Sequence, residues 1–289
     1  LTPLAITLAA RIGAMDHPPP RRVHAAPPAR SGGIPIFGAF SAAVGVSLFF
    51  PRTDPNELTR LAGLFTGAAL MFAVGVYDDR RELKALPQLG AQLIAASIAV
   101  STGILIRELP NPFGAAIVLD DWFAILFTLF WLMGMINTVN WLDGVDGLAA
   151  GVVIIAASVM FVHTFGLGQN SIALLMVALI GALAGFLPRN FFPARIFLGT
   201  AGALVLGFTL GALSIIGGAK VASVLLVLLV PILDVAWQIA SRVRAGKSPF
   251  QADRGHLHHR LLDLGLSQRA IVWVYYAFTA LFGLLALIL

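Results

Sequence analysis

Four polar side chains that could form a ligand site stand between two apolar runs of the sequence. Residues 137–151 read NTVNWLDGVDGLAAG and include Asn137, Asn140, Asp143 and Asp146. Steps of three place Asn137, Asn140 and Asp143 along one stripe if the helix continues. Converging amide and carboxylate oxygens suit a metal, a sugar or a base, whereas the structural alternative is a polar helix cap. Acids at a membrane edge indicate function by default, so we favour a ligand site.

A second group of acids closes an earlier apolar run, in VGVYDDRREL at 74–83. Asp78 and Asp79 are adjacent, and Glu82 would share a helical face with Asp78. Burying adjacent carboxylates is costly unless a cation or proton relieves their repulsion, and Mg²⁺ with a phosphate substrate would do so. A solvated helix end paired with Arg80 and Arg81 explains the segment equally well.

Three of the six histidines lie within four residues, in SPFQADRGHLHHRLLDLG at 248–265. His256, His258 and His259 stand near Arg254, and their spacing is not the i, i+4 pattern of helical zinc ligands. The chain contains no cysteine that could complete a zinc site. The segment therefore favours a basic, imidazole-rich phosphate-binding loop over a zinc site.

Two further polar segments join apolar runs. The proline-rich stretch 16–37 contains Arg30 and a Gly-Gly pair, which suit a phosphate or an anionic headgroup. A rigid basic loop beside the membrane is the better reading of that stretch taken alone. In the second segment, 187–208, Asn190 is a lone amide among aromatic residues, and Phe197 could stack on a base or pack in the core.

The composition is that of an integral membrane protein. Of 289 residues, 58% are hydrophobic and 11% are charged, and the mean hydropathy is +0.90. Runs long enough for helical spans predict an all-α polytopic bundle of about ten transmembrane helices, forming one domain over 1–289 with a truncated first span. They lie at 1–14, 33–50, 59–77, 87–106, 117–137, 147–165, 170–188, 197–217, 220–241 and 269–289.

Charge distribution predicts the orientation of this bundle. Alternate connections, at 11–33, 78–86, 138–146, 189–196 and 242–269, contain 15 of the 19 Lys and Arg residues. Basic residues mark cytoplasmic loops, so we expect these loops, with all the polar groups above, to face the cytoplasm. The same clustering explains the basic pI, so the pI does not indicate that the protein binds nucleic acid. Acids at span ends disfavour a transporter, whose sites lie near the midplane, and favour an enzyme that joins a phosphate compound to a lipid.

These motifs, in order, resemble the polyprenyl-phosphate N-acetylhexosamine-1-phosphate transferases over almost the whole chain. The family's first cytoplasmic motif resembles RRVHAAPPARSGGIPIF. Its Asp-Asp-x-x-Asp motif resembles DDRREL, in which Glu82 takes the place of the last Asp. NTVNWLDGVDGLAAG resembles its highly specific Asn-x-x-Asn-x-x-Asp-Gly-x-Asp-Gly-Leu motif. NFFPARIFLG resembles the stretch before the family's Gly-Asp loop, and the His-x-His-His form resembles the N-acetylglucosamine branch more than the peptidoglycan translocase branch.

The resemblance implies a reaction and its participants. A polyprenyl phosphate, usually undecaprenyl phosphate, attacks the β-phosphorus of a UDP-N-acetylhexosamine and releases UMP, with Mg²⁺ (Mn²⁺ as an alternative) as cofactor. This chemistry serves cell-wall or surface polysaccharide synthesis. It implies a multi-pass protein of the inner (plasma) membrane, with the active site facing the cytoplasm and a homodimer left open.

The resemblance also implies residue roles. Asp78, Asp79, Asp143 and Asp146 would be catalytic, and the first three would hold the metal. The remaining matched residues would bind substrate. They are Asn140, Asn190 and Phe197 on the nucleotide, with Phe197 on uracil, and His256, His258, His259, Arg254 and Arg30 on phosphates or sugar.

One motif departs from the family. Where the family reads Phe-x-Gly-Asp-x-Gly-Ser, this chain reads FLGTAGA, so Thr200 replaces an acid that is a principal Mg²⁺ ligand and Ala203 replaces a serine. A hydroxyl binds Mg²⁺ far less strongly than a carboxylate. A non-catalytic or impaired homologue is therefore an alternative to an active transferase, and a transporter or flippase ranks third.

Overall fold

A computed structural model describes residues 1–12, 29–52, 55–109, 111, 114–218, 221–246 and 255–288. The described chain is mostly helical, with four two-residue strands in two small sheets. The helices are α1 (Thr2–Ile12), α2 (Gly33–Ser47), α3 (Glu57–Arg81), α4 (Ala85–Ser101), α5 (Asp121–Leu142), α6 (Leu148–Gly166), α7 (Asn170–Asn190), α8 (Gly199–Ile216), α9 (Val221–Val227), α10 (Leu229–Arg244), α11 (Leu257–Asp263) and α12 (Gln268–Ile288). The strands are β1 (Ala29–Arg30), β2 (Glu108–Leu109), β3 (Ile117–Val118) and β4 (Ile196–Phe197).

The protein is an all-α polytopic membrane protein, as predicted, but the count of ten spans is not confirmed. Six described helices are long and apolar enough to cross a membrane: α3, α5, α6, α7, α8 and α12. Helices α9 and α10 add a seventh only if they form one span bent by 80°. The remaining predicted segments correspond to α1, α2 and α4, which have 11, 15 and 17 described residues, fewer than the about 20 of a typical span.

Helix α8 lies at the centre of the bundle, where it packs against α3 and α5. Nearly all its residues are buried, and glycines allow its backbone to approach the neighbouring helices closely. A Cβ atom built on Gly207 would lie 2.6 Å from the Cα of Ile136 in α5, and one built on Gly75 of α3 would lie 2.3 Å from the Cα of Ala201. Small residues at such crossings are typical of membrane helices, which gain stability from close packing.

The connections at one end of the bundle are tied together. Strands β1 and β4 pair in parallel, with Ala29 opposite Ile196 and Arg30 opposite Phe197. The Gly32 N–H then donates to the Phe197 carbonyl at 3.0 Å, and a Cβ on Gly32 would collide with that oxygen. The two segments that the sequence places far apart therefore lie side by side, next to the start of α8.

The opposite end contains a buried ion pair. Glu57, the first residue of α3, is almost fully buried and accepts a hydrogen bond from Arg52 at 2.5 Å. Its other oxygen accepts from the Ser171 hydroxyl of α7 at 2.7 Å, and Arg52 also donates to Ser47 of α2. This network joins three helices, while the antiparallel strands β2 and β3 form a separate short hairpin.

Candidate active site

Asp79 is bound to the beginning of α8. Its two carboxylate oxygens accept the N–H groups of Thr200 and Ala201 at 2.8 and 3.1 Å. These amides belong to the first turn of α8, where N–H groups have no partner within the helix and the helix dipole favours an anion. The predicted catalytic acid Asp79 is thus held by backbone dipoles, one of which is the N–H of Thr200.

Asp143 lies beside the same helix terminus. It follows the last residue of α5 and lies near enough to the N–H of Gly199 for that amide to lower the pKa of its carboxyl. Burial, followed by the negative charges of Asp79 and Asp146, raises the pKa of Asp143 well above its usual value, against the opposing effect of the Gly199 amide. Three carboxylates therefore influence one another around the start of α8, and no described residue forms an ion pair with Asp79 or Asp143.

Gly199 is required at this junction by both conformation and space. Its φ is +72°, a region that side-chain-bearing residues rarely adopt. A Cβ atom there would also lie 2.9 Å from an oxygen of Asp79. The glycine thus allows the chain to turn from β4 into α8 while the carboxylates approach its amides.

Asp78 and Glu82 do not share a helical face, so that expectation is wrong. Helix α3 ends at Arg81, and Glu82 takes a left-handed conformation with φ of 49° and an exposed side chain. An Asp78 oxygen accepts the N–H of Leu83 at 2.7 Å and closes this turn. The metal-ligand role predicted for Asp78 remains a prediction, and the structure gives its carboxylate a turn-stabilising contact.

The two asparagines of the central motif differ in their surroundings. Helix α5 extends to Leu142 and so contains both asparagines, beyond the predicted end of the span at residue 137. Asn137 forms a reciprocal amide pair with Gln92 of α4, at 2.7 and 3.3 Å, and also donates to the Met133 carbonyl. The half-buried side chain of Asn140 makes no hydrogen bond to another described residue. Asn140 is therefore the amide of this motif that is available to a ligand.

Asp146 and Asn190 hold the loop between α7 and α8. Asp146 accepts the Ala194 N–H at 3.0 Å. Asn190 is buried, accepts the Gly147 N–H at 3.1 Å and donates to the Ile196 carbonyl at 3.0 Å. Contact of Asn190 with uridine stays a prediction, since its oxygen and its amide nitrogen both bond to backbone here.

The pairing of β1 with β4 brings together two other predicted ligand residues. Arg30 is exposed and stands opposite the half-buried Phe197 in the register of the strands. A guanidinium and an aromatic ring on adjacent strands are groups that can bind a phosphate and a base. Their predicted contacts with the nucleotide are compatible with this placement and stay predictions.

The histidine segment packs against the loop that follows α5. His258 is fully buried, and a Cβ on Gly144 would lie 2.2 Å from its Nε2 atom. Burial, followed by the charges of His259 and His256, lowers the pKa of His258 to about 4, so its ring is neutral at physiological pH. The rings of His256 and His258 are parallel, with centroids 5.7 Å apart, and His259 lies 4.3 Å from His258. The predicted phosphate ligand Arg254 lies outside the described residues.

Sequence reasoning missed the residues that support this segment. Asp234 of α10 accepts the Leu257 N–H at 2.8 Å and lies 3.0 Å from Nδ1 of His256, and Gln238 donates to the Gly255 carbonyl. The sequence does contain a signal for this role, because Asp234 and Gln238 are polar residues four apart in an apolar run. That spacing places them on one face of a helix. Gly144 and Gln92 were missed because their roles depend on contacts between distant segments.

The donor chemistry at the start of α8 fits a hard divalent cation. Within the described ranges, no group of three or more His, Asp or Glu side chains is arranged to hold a metal ion. Mg²⁺ is, however, commonly held by one or two carboxylates, with water and substrate phosphates completing its shell. Asp79 and Asp143 supply two such carboxylates. The pKa of Asp143 is raised first by burial and then by the charges of Asp79 and Asp146, and a cation would offset the effect of those charges.

Residues 61–218 match the family described as glycosyl transferase family 4. This match covers more than half of the chain, and it runs from within α3 to just after α8, with both groups of acids. The chain therefore belongs to this family of membrane transferases.

Comparison with individual proteins shows which kinds of transferase the chain is similar to. The chain is 36% identical to the decaprenyl-phosphate N-acetylglucosaminephosphotransferase of Mycolicibacterium smegmatis, over 93% of this chain and 73% of that protein. It is 35% identical to the probable undecaprenyl-phosphate N-acetylglucosaminyl 1-phosphate transferase of Bacillus subtilis, over 100% of this chain and 81% of that protein. A phospho-N-acetylmuramoyl-pentapeptide-transferase of Staphylococcus aureus is 35% identical over 56% of this chain and 51% of its own length. These relatives support the predicted general reaction, transfer of a sugar phosphate to a polyprenyl phosphate.

Proposed function

We propose that this protein transfers N-acetylglucosamine 1-phosphate from UDP-N-acetylglucosamine to undecaprenyl phosphate. The observation that supports this most is the convergence of five connecting segments at one end of the bundle, around Asp79 and Asp143 at the start of α8. An active site at the end of membrane helices lets a lipid phosphate meet a water-soluble donor. The relatives' names supply the sugar phosphate and the polyprenyl carrier, while the UDP donor extends beyond them.

In the proposed reaction, an oxygen of the lipid phosphate forms a bond to the β-phosphorus of the donor. The bond from that phosphorus to the oxygen bridging to the α-phosphate breaks, and UMP leaves with that oxygen. Both reactants are anionic, so their approach requires positive charge or oriented dipoles. Arg30 and the histidine segment would bind phosphates, Phe197 would stack on uracil, and Asn140 would orient the nucleotide.

Asp79 and Asp143 would hold Mg²⁺ together with the phosphates of the substrate. A bound Mg²⁺ would supply charge neutralisation for the two phosphates. Asp79 is kept in place by two N–H groups of α8, and Asp143 is kept by the N–H of Gly199. The protein's own contribution is thus a pair of carboxylates whose separation is set by one helix terminus. Asp78 and Asp146, which stabilise adjacent turns, would support this pair.

We place this end of the bundle at the cytoplasmic face of the plasma membrane. The basic residues of the sequence concentrate in the segments that meet there, which is the pattern of cytoplasmic loops. UDP-sugars are made in the cytoplasm, so the orientation agrees with the proposed donor. Single-cysteine labelling from either side tests the orientation directly, because the natural chain contains no cysteine.

The test of the function is release of UMP by the purified full chain with undecaprenyl phosphate, UDP-N-acetylglucosamine and Mg²⁺. We expect UMP and a lipid-linked sugar in equal amounts, and no UMP when the lipid or the metal is omitted. UDP-N-acetylgalactosamine in a parallel reaction determines the sugar epimer. Absence of UMP in every reaction would contradict the proposal.

Thr200 and Ala203 support a second candidate, a homologue that binds the donor without turning it over. Thr200 gives its N–H to Asp79 and has a hydroxyl where the family has an acid. The double variant Thr200→Asp, Ala203→Ser adds the missing carboxylate beside Asp79 and Asp143. If the natural chain binds UDP-N-acetylglucosamine but releases no UMP, and the double variant does, the second candidate is supported. If the natural chain is active, we expect the double variant to need roughly 10-fold less Mg²⁺, because it has one more anionic ligand.

A further inference from the structure

Helix α10 has a polar face that points into the protein. Asp234, Gln238 and Arg242 are four residues apart, and Gln238 and Arg242 are buried. On the other faces of the helix, Leu233, Trp237 and Val243 are more than half exposed. Residues four apart line one side of a helix, so α10 is amphipathic with its polar side inward. An inward polar stripe is costly unless each group has a partner.

Asp234 and Gln238 contact the histidine segment (residues 255–264), and Arg242 contacts the neighbouring ring of Trp141. Asp234 binds the His256 ring at Nδ1 and the Leu257 N–H with separate oxygens, at 3.0 and 2.8 Å. Gln238 donates to the carbonyl of Gly255. The Arg242 guanidinium lies 5.8 Å from the ring centroid of Trp141, and that ring lies 5.8 Å from the ring of His256.

We propose that Asp234 is a positioning residue that fixes the orientation and protonated nitrogen of His256, with Gln238 as a second anchor of the same segment. The inference rests on the proposed function, in which His256 binds the donor's diphosphate. It assigns to α10 a role in the site, although α10 lies outside the residues that match the family.

The chemistry of the carboxylate explains why an acid occupies position 234. A carboxylate accepts hydrogen bonds and cannot donate them, so Nδ1 of His256 must carry its hydrogen toward Asp234. The other ring nitrogen, Nε2, is then the atom of His256 that remains for a contact with a phosphate. The second oxygen of Asp234 meanwhile caps the start of α11 through Leu257.

The variant Asp234→Asn separates the contact of Asp234 with His256 from its cap on the Leu257 N–H. Asparagine keeps an oxygen for the Leu257 N–H, but it presents an NH₂ group to Nδ1 and has no charge. We expect kcat/KM for UMP release to fall by about 10- to 100-fold, the usual loss when the partner of a functional histidine is replaced. Asp263→Asn makes the same chemical change at an exposed residue of α11 and should leave kcat/KM within about 2-fold of the natural value.

Hydrogen exchange measured by mass spectrometry tests the anchoring without reference to activity. We expect peptides covering 255–264 to exchange faster in Asp234→Ala and in Gln238→Met than in the natural chain. Asp234→Asn should retain protection at these peptides, because the cap on Leu257 is kept. Unchanged exchange in Asp234→Ala would overturn the inference even if the natural chain proved to have no transferase activity.

A double variant tests whether Asp234 acts through His256. If it does, Asp234→Asn combined with His256→Gln should be no less active than His256→Gln alone. Additive losses would overturn the positioning role, and so would natural kcat/KM in Asp234→Asn. Failure of the natural chain to release UMP concerns the proposed function and is recognised separately, since the exchange measurements still decide the contacts.

Discussion

The two ends of the helix bundle hold buried acids in different ways. At one end, Glu57 is neutralised by Arg52 and bonded to Ser171, so that every charge has a counter-charge. At the other end, Asp79 and Asp143 receive backbone N–H groups from α8, and no described cation neutralises them. The first arrangement is complete without a ligand. The second surrounds the carboxylates with dipoles alone and supplies no counter-charge from the described residues.

This difference indicates which end does chemistry. A buried ion pair stabilises the connections among helices but offers nothing to a substrate, because its charges already satisfy each other. Carboxylates held by a helix terminus keep their positions and still attract a cation. Variants at the two ends should therefore separate activity from stability.

The largest effect should come from Asp143→Asn. Removing one of the two carboxylates proposed to hold Mg²⁺ should lower kcat for UMP release by about 100-fold or more, a loss typical of groups that stabilise transition-state charge. The unfolding temperature should change little or rise, because the natural carboxylate is partly buried among other acids. Asp121→Asn, at the opposite end, provides the control and should retain natural activity. A fully active Asp143→Asn would remove the contrast between the two ends.

The second-largest effect should come from Glu57→Gln, which we expect to lower the stability of the fold. The change leaves Arg52 partly buried without its counter-charge, which should lower the free energy of unfolding by about 3 kcal/mol. Chemical unfolding in mixed micelles measures this loss. Asp121→Asn breaks the exposed pair with Arg107 and should cost less than about 1 kcal/mol. The folded fraction of Glu57→Gln should have natural kcat, and a large kcat loss would contradict the division of roles.

The smallest effect should come from Gly144→Ala. The added methyl group would meet the ring of His258, which must shift. We expect kcat/KM to fall by roughly 10-fold, as is common when a binding group moves without being removed. Gly134→Ala is the matched control on α5, because nothing lies within 4 Å of its added Cβ. Equal activities for the two variants would show that His258 does not need its place against Gly144.

Much of the site was predictable because its residues occur in motifs with recognisable spacing. The sequence predicted that Asn140 and Asp143 share one stripe only if the helix continues past residue 137, and the structure extends α5 to Leu142. The meeting of the alternate connections at one end followed from counting spans and basic residues. The register of Arg30 opposite Phe197 could not be predicted, since nothing local in two-residue strands specifies their pairing partner.

The errors also have physical reasons. The count of ten spans is not confirmed, because apolar composition does not reveal that α2 and α4 are short, or that the chain bends by 80° between α9 and α10. Glu82 left the helix because the turn after Arg81 is closed by the Asp78 side chain, a contact that propensity does not encode. Asp234 was missed since its partners, His256 and Leu257, are more than twenty residues away.

The close backbone contacts of α8 determine how far apart the segments that form the site lie. Gly75 and Gly207 place α3 and α5 nearly in backbone contact with α8, and Asp79 and Asp143 belong to these same two flanking segments. The spacing of the two backbone segments that carry these carboxylates is therefore set by main-chain contacts with α8. Sequence drift on the outer faces should leave that spacing unchanged, whereas a methyl group added at Gly75 or Gly207 would alter it.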